Sequence, residues 1–126
     1  MNKITKNNLN NFMNSYHFFH DSYIKDINYN LDKNKIDILI YVFWSFKPIL
    51  KEDNLIETNR TKMKMIFTGI KEYRDDDRFS DYIEEAIIKY VKINGKEYIL
   101  FTSDEIEPSF YVICDNIEYE EKKESW

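Results

Sequence analysis

Hydrophobic and polar positions follow two different periods along this chain, and the change from one to the other comes at Phe18-Phe19-His20-Asp21-Ser22. Ahead of that stretch, Leu9, Phe12, Met13 and Tyr16 recur at i, i+3, i+4 and i+7, which places four apolar side chains on one face of a helix. The spacing predicts a helix over 5–18, capped by Thr5 or Asn7, with His17 in its last turn near the negative end of the helix dipole. Beyond the junction, Ile27, Tyr29 and Leu31 alternate with polar residues, and Asp32-Lys33-Asn34-Lys35 supplies a turn. The returning segment, 36–46, is apolar on both faces, with Ile36, Ile38, Ile40, Val42, Trp44 and Phe46 on one and Leu39, Tyr41 and Phe43 on the other. A strand of that kind belongs in the middle of a sheet and is covered twice.

Pro48 ends ladder pairing, and residues 47–61 read as a polar excursion anchored by Ile49, Leu50, Leu55 and Ile56. Alternation resumes over 62–73, where Gly69 marks a bulge. Residues 79–83 suggest a short helical turn, and 84–89 fit either an extension of it or a strand. Asn94-Gly95 fits a type I′ turn, which needs positive φ at both central positions and pairs Ile93 with Lys96, Lys92 with Glu97, Val91 with Tyr98 and Tyr90 with Ile99. Residues 103–108 turn the chain again, 110–114 and 117–119 give the closing strand or strands, and 118–124 run out into charge. These elements predict an α+β fold in one domain spanning 1–126, with one N-terminal helix packed on a mainly antiparallel sheet or sandwich of about five to seven strands.

Composition narrows the chemistry. At 126 residues, with 17% aromatics and only two Gly and two Pro, the chain can bury a core without a metal or disulfide. A lone Cys114 and an N-terminus without signal-peptide character suit a reducing cytoplasm. The apolar run at 38–44 is far shorter than the roughly 20 residues that span a bilayer, so no membrane partner is expected. A net charge of −5 with scattered Lys and scarce Arg argues against nucleic acid as a partner. No Gly-rich phosphate loop and no nucleophile elbow occur, and no cofactor is expected.

Three clusters remain as candidates. His17, His20 and Asp21 have the spacing to approach one metal, but no third His and no second thiol complete a shell, so no metal site is expected. His20, Asp21 and Ser22 read instead as a helix-to-strand junction in which a side-chain oxygen accepts a backbone N–H. The alternative is a small enzyme using His20 and Asp21 as an acid–base or metal pair, which would require His20 to stand in a cleft. Arg74-Asp75-Asp76-Asp77-Arg78 is the densest charge cluster, and Asp75, Asp76 and Asp77 are candidate partner contacts.

Phe19-His20-Asp21-Ser22-Tyr23-Ile24, followed by an Ile-x-Tyr strand, a turn and a long apolar strand, resembles the opening of small uncharacterised bacterial proteins, some of them classed as immunity proteins in polymorphic-toxin systems. Residues 110–119 are similar to their last strands, and about 47–82 lie outside the resemblance. It implies a strand-rich domain that binds and blocks a toxin protein, with no catalytic residues to carry over. Acidic charge and aromatic richness also suit recognition of another protein, or homodimerisation through a strand edge.

Overall fold

In the computed structural model the described residues are 1–42, 49–50, 56–57, 61–76, 82–83, 85–104, 106, 108 and 110–122. The helical period produces α1 (Leu9–Ser15), shorter than the spacing predicts. Its N-cap is Asn8, with no side-chain capping bond, rather than Thr5 or Asn7; in the turn just ahead, the Thr5 carbonyl accepts the Leu9 N–H at 3.0 Å, and the Thr5 hydroxyl and the Asn8 amide oxygen accept each other's backbone N–H. The helix stops at Tyr16 because Phe18 and Phe19 turn left-handed, at φ 55° and 57°. His17 therefore opens a 3₁₀ turn, His17–Phe19, and is not in the last turn of α1.

The rest is mainly antiparallel sheet. Its strands in chain order are β1 (Asn2–Lys3), β2 (Ser22–Asn30), β3 (Lys35–Val42), β4 (Ile49–Leu50), β5 (Ile56–Glu57), β6 (Thr61–Asp75), β7 (Tyr82–Ile83), β8 (Ile87–Ile93), β9 (Lys96–Thr102) and β10 (Phe110–Lys122). Seven of them lie in the order β7-β2-β3-β6-β10-β9-β8; β1 pairs with β10 beside β9, and β4 with β5 forms a separate two-rung ladder within the excursion. β3 is central, between β2 and β6. Its even residues, Ile36, Ile38, Ile40 and Val42, are buried, but the odd ones are only half-buried, so the second face is covered less than its apolar character suggests. Phe43, Trp44 and Phe46 lie outside the described residues, as do Leu55 and Asp77.

β7 and β8 stand at opposite ends of this order yet are consecutive in the chain. Ile83 and Ile87 are four residues apart, a reach of at most about 14 Å, so the sheet curls until its two ends meet. Inside the curl lies the core, including Ile36, Ile38, Met63, Met65, Phe67, Phe101, Val112 and Ile117. α1 shares it: the Phe12 ring is 4.4 Å from Tyr119, and the Tyr16 hydroxyl donates to Glu121 at 2.5 Å. Burial, then the Glu121 carboxylate, push the Tyr16 phenol well above its ordinary value.

Several sequence expectations change here. Tyr82–Ile83 is strand rather than helical turn, because it pairs with Ser22 and Tyr23 across a long range. Residues 87–93 are strand throughout, and β10 continues through the charged segment to Lys122 because β6 supplies partners as far as Lys62. The β6 irregularity falls at Lys71, two residues beyond Gly69. Gly69 itself takes φ +68°, and a Cβ there would lie 2.3 Å from an Asp115 carboxylate oxygen. The β8–β9 hairpin agrees with expectation in all four predicted pairs, with Asn94 at φ 51° and Gly95 at 82°. No helix among the described residues is long and apolar enough to cross a membrane.

Candidate functional site

Two places bring functional side chains together: a tyrosine rim beside Asp75, and the corner between α1 and β2. At the rim, β2 supplies Tyr29, and the long β6 overshoots β3 to supply Tyr73 and Asp75. The two rings are 5.4 Å apart, tilted by 41°, and the Tyr29 hydroxyl donates to an Asp75 carboxylate oxygen. Tyr29 is 36% and Tyr73 39% exposed, so the pair presents aromatic faces and an acid to solvent together. Asp76 differs from its neighbour: its side chain is only 9% exposed and lies 3.5 Å from the Arg74 guanidinium. The acidic run is thus not a fringe of equivalent solvated carboxylates. Asp75 belongs to the rim and Asp76 is tucked beside Arg74, while Asp77 lies outside the described residues.

At the corner, Phe18, Phe19 and Asp21 are all left-handed. Phe19 is fully buried against Phe12 and Tyr16, at ring distances of 5.7 and 5.8 Å. The Phe18 carbonyl accepts the Ala86 N–H at 2.8 Å, which ties the corner to the β7–β8 link. His20 Nε2 lies 3.2 Å from an Asp21 carboxylate oxygen, and both side chains are about half exposed. His20 is exposed, and neither it nor Asp21 is among the described residues lining the adjoining cleft. Ser22 departs from the junction reading. Its hydroxyl is buried with no hydrogen-bond partner among the described residues, because Ser22 faces inward as the first residue of β2. The side chain of His17 lies outside those described, and among the described residues no three His, Cys, Asp or Glu side chains gather in a cation-binding group.

The adjoining cleft, of about 450 Å³, runs between α1, the corner, the β7–β8 link and the β9–β10 loop. Sequence reasoning missed it, and missed Tyr73 as a partner of Tyr29, since both depend on segments far apart in the chain. The one local signal was Ile106, an isolated apolar residue in an acidic loop.

Cys114, in β10, is buried with its thiol 3.4 Å from the Asn116 carbonyl oxygen. Burial, with the nearby Asp115 charge, pushes its pKa up to about 12, so it remains a thiol and offers no nucleophile at neutral pH. No family model matches the chain, and no curated protein matches it.

Proposed function

We propose that this protein is a protein-binding module of the inhibitory kind, comparable to an immunity protein that blocks a toxin, and that the tyrosine rim is part of its contact surface. The observation that supports this reading is the pairing of two exposed tyrosines with the Asp75 carboxylate. Tyrosine gives large, stiff, amphipathic contact area and is enriched among residues that dominate binding energy. The chain's charge of −5 favours a basic partner, whose approach an acidic surface accelerates. Toxins that hold nucleic acid need such basic clefts, which makes them the partner class of best fit.

Co-expression with the protein encoded next to this one, followed by copurification and a growth assay, tests the reading. Binding and growth rescue by the wild-type chain are expected. Tyr29→Ala with Tyr73→Ala should weaken the complex by roughly 10–100-fold, and Asp75→Asn should slow association and flatten its salt dependence. A complex indifferent to all three changes would remove the rim from the interface, and no complex with any toxin would remove the inhibitory reading.

A further inference from the structure

The cleft beside the corner has a chemistry of its own. Leu9 and Met13 of α1, Phe18 of the corner, and Ala86 and Ile88 give it an apolar lining. Ile106 stands at its edge 85% exposed, and Phe18 is 40% exposed, so apolar surface is left facing water. Glu85 and Asp104 line the same cleft, and none of the described lining residues is basic. The sequence deepens this bias, since neither 79–88 nor 102–109 contains Lys or Arg. The edge is also well held: Asp104 Oδ1 accepts the Ile106 N–H at 3.3 Å, and the Thr102 hydroxyl donates to the Asp104 carbonyl at 2.6 Å. Phe18 reaches the cleft from a left-handed backbone, at φ 55°.

We propose that this cleft docks a segment of a partner polypeptide in which an apolar side chain stands beside a Lys or Arg. The apolar side chain covers Met13, Phe18 and Ile106, and the cation meets Glu85 and Asp104. A volume of about 450 Å³ holds a few side chains. Phosphate-bearing ligands and anionic lipid surfaces would meet two carboxylates and no cation among the described lining residues, so they do not fit. The cleft shares no lining residue with the tyrosine rim, so either surface can fail without the other.

Amide chemical shifts of the ¹⁵N-labelled full chain, titrated with the blocked peptide acetyl-Leu-Arg-Leu-Lys-amide and with acetyl-Leu-Glu-Leu-Glu-amide, provide the test. The basic peptide should give saturable shifts at Ala86, Ile88 and Ile106 that weaken as salt is added, and the acidic peptide should give none. Glu85→Gln with Asp104→Asn should weaken the basic peptide at least about tenfold, and the exposed Ile106→Lys change should abolish binding while the remaining spectrum stays superposable. Equal response to both peptides, response only elsewhere, or no response overturns the proposal. Concentration-dependent shifts at the same amides without peptide, lost in Ile106→Lys, would assign the cleft to a second copy of this chain and overturn it as well.

Discussion

The turn between β8 and β9 places left-handed backbone where the chain supplies Asn94 and Gly95, whereas the corner between α1 and β2 places it on Phe18, Phe19 and Asp21. Asn and Gly adopt that conformation at little cost, so the hairpin is specified by its own two residues. A residue with a bulky side chain loses about 1–2 kcal/mol there, so the corner carries a strain that its own sequence does not relieve. Packing and one long-range bond offset it: Phe19 is buried against Phe12 and Tyr16 of the preceding helical segment, and Ala86, from the β7–β8 link, donates to the Phe18 carbonyl. One reversal is therefore set by local preference and the other by the tertiary structure around it.

Removing the side chain that anchors the corner should have the largest effect. Phe19→Ala deletes a fully buried ring and is expected to cost about 3–5 kcal/mol in denaturant unfolding. A loss below about 1 kcal/mol would mean that the corner holds without its anchor. The hairpin should respond less, because nothing lies within 4 Å of a Cβ added at Gly95 and only the backbone conformation is penalised. Gly95→Val is expected to cost about 1–2 kcal/mol, and an unchanged melting temperature would mean that the turn tolerates another geometry.

A smaller change of opposite sign is expected at Ser22. Its buried hydroxyl has no partner among the described residues, so Ser22→Ala should raise stability by about 1 kcal/mol, or about 3–5 °C in thermal melts. Destabilisation instead would show that the hydroxyl does bond at the junction. The subtlest effect is on pH. Cys114 and Tyr16 both bind their protons more tightly folded than unfolded, so their contribution is complete below about pH 9, the ordinary thiol value, and falls as pH rises towards 12. Denaturant midpoints across that range should decline, and Cys114→Ala, although less stable at neutral pH, should start its decline later, near the phenol range.

What could be read from the sequence divides along the same line. β3, the Asn94-Gly95 hairpin and its register were legible, because alternation and turn chemistry are local signals. β7 was read as helical because two residues carry no period; only pairing with Ser22 and Tyr23 makes them a strand. The full length of β10 was hidden under its charge, since the partners that sustain it lie on β6, some fifty residues earlier in places. The acidic run was visible at once, but not that Asp75 bonds Tyr29 while Asp76 sits against Arg74.

The meeting of the sheet's two ends also has a kinetic side. β2 with β3 and β8 with β9 are hairpins whose partners are near neighbours in sequence, so each can form early. β7 can find β2, and Ala86 can reach Phe18, only after roughly sixty intervening residues have been drawn together. A chain closed in this way should refold in milliseconds to seconds rather than microseconds, with the two hairpins waiting on a single late closure at the corner.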